Sequence, residues 1–233
     1  MKVNNEVVSR CESALHLGHL LHTKHTNNEL IDKAIKDFYT SYHSFVAKFG
    51  SCNTTTKNKL FHQYCCAMYG SQLWDLTSQT IEKMLTQWRK AHRLVLTVPR
   101  NTHSDLLPLI ADNMSLESTL DYRYMSFYKS IATSENSIVS FTARYKLYDS
   151  NSTLGRNMTH LMHKYDLEVN DIVMLPKFSV KDLCYNRWIA NINNEYPIYA
   201  RGINEMLTMK EGLCYRTLSN EDCDEFIKSL CII

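Results

Sequence analysis

A mostly α fold is predicted from this 233-residue sequence, with a short N-terminal β-hairpin, a multi-helix bundle and a smaller helical C-terminal unit. The chain contains 6 glycines and 4 prolines, too few for a turn-rich β-sandwich or barrel. Hydrophobic residues make up 44% of the chain, enough to build a sizeable core. In many segments they recur at spacings of three and four, the period of an amphipathic helix. We expect three units, residues 1–25, 26–133 and 134–233.

The first unit is predicted to form the hairpin. Valines alternate loosely with polar residues near the N-terminus, and a leucine-rich run brackets Gly18. Histidines recur at every third position of this unit: His16, His19, His22 and His25. Residues three apart on a strand point to opposite faces, and no cysteine or carboxylate pattern accompanies these histidines. We therefore expect no metal site here.

The second unit begins with the best-defined helix of the sequence. Asn28 is predicted to cap this helix and Gly50 to end it. Its inward residues recur at three and four: Ile31, Ala34, Ile35, Phe38, Tyr42, Phe45 and Phe49. A second helix is predicted from Thr54 to Gly70. The second helix carries the apolar residues Leu60, Tyr64 and Met68.

The third helix of the bundle is anchored by Trp88. It is predicted to start after Ser78 and to stop before Pro99. Its large apolar residues line one face: Ile81, Met84, Leu85, Trp88 and Val95. Projection at about 100° per residue puts Lys83, Lys90 and Arg93 on the opposite face and Arg89 on one flank. This helix is therefore expected to join a buried core to a charged surface.

Charge is distributed unevenly along the chain. Residues 51–103 contain seven Lys or Arg against two acids, a net charge of +5, whereas residues 104–233 contain thirteen against seventeen, a net charge of −4. A polyanionic partner is therefore expected to meet the middle of the chain. The candidate nucleic-acid-binding residues are Lys57, Lys59, Lys83, Arg89, Lys90 and Arg93. An ordinary solvated helix face explains the same pattern, and both interpretations stay open at this point.

Helical patterns continue through the rest of the chain. A capping pair at Thr102 and Asp105 predicts a short helix that Pro108 kinks or ends, and Ser115 caps the next helix. Further helices are predicted at residues 137–148, 154–165, 180–193 and 221–230. The third unit is expected to bury its large aromatic residues: Tyr185, Trp188, Tyr196 and Tyr199. Base stacking on these rings is the functional alternative.

The cysteines and the lengths of the apolar runs indicate where in the cell the protein is located. The eight cysteines form no CxxC pair, and adjacent Cys65 and Cys66 lie in an apolar helical stretch where buried, reduced thiols are expected. No apolar run reaches the roughly 18 residues of a membrane span, and residues 1–10 are too polar for a signal peptide. An intracellular location, in the cytoplasm or nucleus, is expected, with no membrane partner.

The motifs of familiar enzymes are absent from the sequence. There is no glycine-rich phosphate loop, GxSxG elbow, HExxH pair or cysteine-rich zinc spacing. The acidic cluster that begins at Glu221 suits a helix N-terminus better than a metal cage. We therefore predict no catalytic residues, no cofactor and no metal in this chain.

Three runs of residues carry a family resemblance. They are Leu15–His19, then LFHQYCCAMYGSQLW from Leu60 to Trp74, then WRKAHRLVLTVPRNTHSDLLPLI from Trp88 to Ile110. In this order and spacing they resemble the part of a non-LTR (LINE-type, jockey-like) retrotransposon reverse transcriptase that follows its catalytic palm. The resemblance covers residues 1–130 or so and is thin beyond them.

The resemblance implies a fold and a role. Leu17 and Gly18 would belong to the palm edge that cradles the primer end, and the helices after them would form the thumb, which grips an RNA/DNA duplex. Such polymerases hold two Mg²⁺ ions with paired aspartates, and this sequence contains no Asp-Asp pair. The expected function is thus a reverse transcriptase fragment or remnant that binds template and primer without an active site, with the missing palm and fingers as a further partner.

A second hypothesis comes from a different class. The chain is then a helical protein-interaction module with no nucleic-acid role, in which the basic face is solvated and surface apolar residues meet a partner. Salt-dependent binding to nucleic acid separates the two hypotheses.

Overall fold

The computed structural model describes residues 28–197, with only the backbone of 177 and 178, and the backbone of four short strand segments between residues 2 and 22. Helices dominate the described residues, so the predicted mostly α class is confirmed. The helices are α1 (Asn28–Phe49), α2 (Thr54–Cys65), α3 (Gln79–Leu96), α4 (Leu106–Ile110), α5 (Leu116–Ala132), α6 (Ser137–Leu147), α7 (Thr153–Tyr165), α8 (Val169–Met174) and α9 (Lys177–Glu195). A 3-10 turn at Ser71–Leu73 lies between α2 and α3.

The strand segments pair in two separate antiparallel ladders. They are β1 (Lys2–Val3), β2 (Glu6–Val7), β3 (Ser13–His16) and β4 (His19–His22), with β1 against β2 and β3 against β4. These two short ladders do not support the single predicted N-terminal hairpin, which stays a prediction. Leu17 and Gly18, the predicted primer-end residues, lie outside the described residues.

Two helix starts follow the predicted capping residues, whereas the predicted Thr102–Asp105 capping pair is wrong: α4 starts at Leu106, and Asp105 makes no side-chain cap hydrogen bond. The Ser78 hydroxyl accepts a hydrogen bond from the Thr80 amide at the start of α3, and the Ser115 hydroxyl accepts one from the Ser118 amide at the start of α5. Thr97 ends α3 with a left-handed φ of 55°, two residues before Pro99. Local sequence chemistry therefore sets the bounds of the helix that carries Trp88.

Three details differ from the predictions. The second helix ends at Cys65, not near Gly70, because Met68 and Gly70 take left-handed φ values of 40° and 79° that no helix continues through. Pro108 lies inside α4 without breaking it, since an amide in the first turn of a helix needs no intrahelical partner. Helix α8 was not predicted, because its six residues are too few to show a period.

Two main hydrophobic clusters make up the core. The first lies between α1, α2 and α3 and is centred on large side chains that are almost fully buried: Phe38, Phe45, Phe61, Met84 and Trp88. The second lies between α5, α7, α8 and α9 and includes Tyr128, Met158, Leu161, Ile172 and Cys184. Smaller clusters around α4 join the end of α3 to α9 through Leu107 and Trp188.

Helix α5 belongs to both main clusters. Leu116 and Leu120 pack into the first, whereas Tyr124 and Tyr128 pack into the second. The predicted units 26–133 and 134–233 therefore share this helix, and their division at residue 133 stays a prediction.

Trp88 is the largest side chain in the contact between α2 and α3, so its replacement with alanine should destabilise the fold. Trp88 is 3% exposed, and its indole N–H donates a hydrogen bond of 3.3 Å to the Cys66 sulfur. We expect Trp88→Ala to lower the free energy of unfolding by about 3–5 kcal/mol in urea titrations followed by circular dichroism. Leu94→Ala is the control on the same helix, because Leu94 is 60% exposed and its loss should cost under about 0.5 kcal/mol. Similar losses for both variants would contradict the core assignment.

Candidate nucleic-acid interface

The outer surface of α1 and α3 is organised around one contact between the helices. The Tyr39 hydroxyl of α1 donates a hydrogen bond to the side-chain carbonyl of Gln87 in α3. Near the start of both helices, the Asn28 side-chain oxygen accepts hydrogen bonds from the Ser78 and Thr80 hydroxyls, at 2.9 and 3.0 Å. The two helices therefore run alongside one another, and we call the exposed surface beside the Tyr39–Gln87 contact the α1–α3 seam.

Basic residues lie one helical turn before and after the Tyr39–Gln87 contact. Lys83 lies one turn before Gln87 and Lys90 one turn after it, and both are exposed. Lys36 and His43 stand in the same relation to Tyr39 on α1 and are also exposed, with Asp32 one further turn before Lys36. Neither Lys83 nor Lys90 forms an ion pair with any residue between 28 and 197. Their charges are thus available to a ligand.

The two arginines of the predicted set face the other flank of α3. Arg89 pairs with Glu82 at 2.6 Å. Arg93 is half-buried, and its guanidinium donates two hydrogen bonds to the Thr102 carbonyl, at 3.1 and 2.9 Å, and one to the Ser104 hydroxyl at 2.8 Å. Arg93 therefore fastens the end of α3 to the following loop, a role that the helical projection did not indicate.

Lys57 and Lys59 lie on α2, away from the seam. Helix α2 packs against both α1 and α3, so its solvent-facing side is across the bundle from the surface where α1 and α3 meet. Lys59 is exposed there, and Lys57 is half-buried one turn before Phe61. Of the six predicted residues, the structure thus places only Lys83 and Lys90 at the seam. It adds Lys36, which the sequence could have indicated through its position one helical turn before Tyr39.

A buried polar group supports α3 from beneath. The Asn58 amide donates a hydrogen bond of 2.8 Å to the Ala111 carbonyl, and its oxygen lies 3.1 Å from Nε2 of His92. This orientation of Asn58 makes His92 Nε2 the donor, so Nδ1 carries the lone pair. Neither Nδ1 of His92 nor Nε2 of His62 has a hydrogen-bond partner among the described residues, although both atoms are buried.

Burial keeps these two histidines neutral. Burial lowers the pKa of His62 to about 4. The pKa of His92 is lowered to about 3 by burial and, secondarily, by the neighbouring His62. The rings lie 5.3 Å apart between centroids, so a proton on either one would repel a charge on the other. These residues belong to the core and not to a surface site.

A cleft of about 220 Å³ lies on the other side of α3, between α5, α7 and α9. Its charged lining is balanced, with cations from Arg89, Lys164 and Arg187 and carboxylates from Asp105, Glu117 and Glu195. Lys164 also pairs with the buried Asp121 at 2.7 Å. The formal charges that line this cleft therefore cancel.

The described residues contain neither a cluster of metal ligands nor a membrane-spanning helix. No group of three or more His, Cys, Asp or Glu side chains between residues 28 and 197 is arranged to hold a metal ion. Among the helices α1 to α9, none is both long and apolar enough to cross a membrane.

Comparison with known proteins finds no family model, no curated protein and no solved structure that matches this chain.

Arg93 and Lys90 should differ in their effect on folding. Arg93→Ala removes three hydrogen bonds from a charged group and leaves the buried Thr102 carbonyl without this donor, so we expect a loss of about 1.5–3 kcal/mol in the free energy of unfolding. Lys90→Ala should change it by under about 0.5 kcal/mol, because Lys90 is exposed. Urea titration of both variants measures the difference, and equal effects would show that the Arg93 contacts contribute nothing.

Acid should destabilise the fold before most carboxylates titrate. Because the folded pKa values of His62 and His92 lie below the ordinary 6.5, the unfolded chain binds more protons below that pH. Stability should be full above about pH 6.5 and should fall toward pH 4 by up to about 1.4 kcal/mol per pH unit for each histidine. His62→Gln should make this fall shallower in urea titrations between pH 6.5 and 4.5. His160→Gln, at an exposed position, is the control and should leave it unchanged, whereas an unaltered slope in His62→Gln would refute the assignment.

Proposed function

We propose that this chain is a non-catalytic, thumb-like module that binds an RNA/DNA duplex through its phosphates, with the α1–α3 seam as the contact surface. The single observation that carries the proposal is a pair of exposed lysines, Lys83 and Lys90, on one face of α3. Neither lysine has an ion-pair partner among the described residues. Phosphate binding draws on cations that are not already neutralised within the protein.

The spacing of the seam suits a duplex backbone. Lys83 and Lys90 are seven residues apart in one helix, which is about 10 Å along its axis. That distance is about three base-pair steps of a double helix. Lys36 adds a third cation from α1, across the Tyr39–Gln87 contact.

The hydrophobic core beneath the seam holds the backbone of α3 in place. Met84 and Trp88 are buried on the opposite face of α3, at 0% and 3% exposure, so the backbone that carries the lysines is held in place. Lysine side chains on a held backbone lose less freedom on binding than lysines on a loose segment. The proposed contact is with phosphates and not with base edges, so base sequence should matter little.

In this proposal, the polymerase reaction takes place in a different protein segment, the palm. The chain resembles the region that follows the palm in non-LTR reverse transcriptases, and its sequence has no Asp-Asp pair to hold two catalytic Mg²⁺ ions. The palm and fingers of a parent polymerase are accordingly proposed as a second partner, with this chain contributing grip on the duplex.

Binding to an RNA–DNA hybrid should fall steeply as salt rises. Each phosphate neutralised contributes about −0.9 to the slope of log K against log salt. Lys83→Ala/Lys90→Ala should therefore make the slope shallower by about 1.8, measured by fluorescence anisotropy from roughly 50 to 200 mM salt.

Lys57→Ala/Lys59→Ala provides a charge-matched control. It removes the same charge from the far side of the bundle and should leave the slope close to wild type. Equal slopes in wild type and Lys83→Ala/Lys90→Ala would eliminate the seam as the contact surface. No binding by wild type near 50 mM salt would favour the protein-interaction module instead.

A further inference from the structure

Helix α6 presents an aromatic stripe to solvent. Ile138, Phe141 and Tyr145 of α6, with Tyr148 directly after the helix, recur at spacings of three and four and are 75%, 69%, 65% and 85% exposed. The opposite face of the helix is buried through Ala143 and Leu147. Large apolar side chains on one solvent-facing line are unusual for a helix that needs only to cover a core, and such patches mark binding surfaces. We call these four residues the α6 stripe.

The geometry of the stripe suits flat ligands. The rings of Phe141 and Tyr145 are nearly parallel, with an interplanar angle of 14° and 6.3 Å between centroids. Ile138 and Tyr148 are ten residues apart, which is about 15 Å along a helix. This length accommodates a few stacked bases.

Cations lie beside the rings of the stripe. Helix α6 contains no acidic residue, although Glu135 precedes it and Asp149 follows it. Arg144 is exposed on the flank of Phe141 and forms no ion pair with the residues that the structure describes. The Lys146 ammonium lies 5.8 Å from the centroid of the Tyr145 ring, although it also pairs with Asp149 at 2.8 Å. Aromatic faces interleaved with cations are the combination by which proteins hold single-stranded nucleic acid.

We propose that the α6 stripe binds unpaired nucleotides, whose bases stack on Phe141, Tyr145 and Tyr148 while Arg144 meets a phosphate. This site deepens the proposed function, on which it rests: the seam grips the duplex and the stripe holds a single strand that leaves it. Stacking tolerates any base, so the site selects single strands over duplexes and not one sequence over another.

The test measures binding of the full chain to three probes by fluorescence anisotropy: an RNA–DNA hybrid, oligo(U) RNA and oligo(dT) DNA. Phe141→Leu/Tyr145→Leu keeps the stripe apolar but removes two stacking surfaces. Phe141→Tyr/Tyr145→Phe keeps both rings. The leucine pair should weaken oligonucleotide binding by at least about 5-fold per ring, whereas the ring-retaining pair should bind within about 2-fold of wild type. Comparable loss on oligo(U) and oligo(dT) indicates stacking alone, and a loss on oligo(U) only indicates a site for RNA.

Two controls separate this site from the seam and from general surface apolarity. Met174→Ala removes an apolar side chain of similar exposure, 82%, from α8 and should leave binding to every probe unchanged. Lys83→Ala/Lys90→Ala should weaken the hybrid much more than the oligonucleotides. Circular dichroism of each variant verifies its fold.

Each contrary result has a distinct meaning. Oligonucleotide binding that survives in the leucine pair overturns the stripe, whatever the hybrid does. Hybrid binding without any oligonucleotide binding overturns the stripe and leaves the proposed function intact. Binding to none of the probes overturns both. A wild-type dimer in analytical ultracentrifugation that Phe141→Asp converts to monomer would assign the stripe to a second copy of the chain and also overturn the proposal.

Discussion

Helix α5 must pack into two hydrophobic clusters at once, and most of the described structure depends on this constraint. Its first turns carry Leu116 and Leu120 into the cluster around Trp88, and its later turns carry Tyr124 and Tyr128 into the cluster of α7 to α9. A rotation of α5 that improved one set of contacts would spoil the other, because all these side chains project from one rigid rod. The positions of the seam and of α6 are therefore coupled through α5.

Polar contacts reinforce this coupling between the clusters. Both ends of the buried Asn157 amide on α7 are used, with a hydrogen bond to the Trp74 carbonyl at 2.8 Å and one from the Leu76 amide at 2.9 Å. Arg123 of α5 donates to the Ala67 carbonyl at 2.7 Å and so holds the segment after α2. Because an unpaired polar group inside a protein costs more than a pair gains, such contacts specify one arrangement of the helices more than they stabilise it.

The sequence was most informative where one helix carried a long, regular pattern. Ser78, Trp88 and the period of α3 predicted its start and its buried face, because capping and amphipathicity are local. The end of α2 was missed because left-handed φ at Met68, a non-glycine residue, has no sequence signature. The role of Arg93 was missed for a different reason: its partners, Thr102 and Ser104, come from a loop whose path depends on tertiary packing.

Net charge alone could not locate the candidate site. The +5 segment supplies cations to opposite sides of the bundle, and it uses Arg89 and Arg93 for internal contacts. What distinguishes the seam is that Lys83 and Lys90 share a face with no carboxylate one turn away on α3, whereas Arg89 faces Glu82. The α6 stripe could not be predicted from the sequence either. Its apolar spacing is also typical of a buried helix face, and only the packing shows that Ala143 and Leu147 face inward instead. In both cases the proposed function depends on the side of the helix that the core leaves exposed.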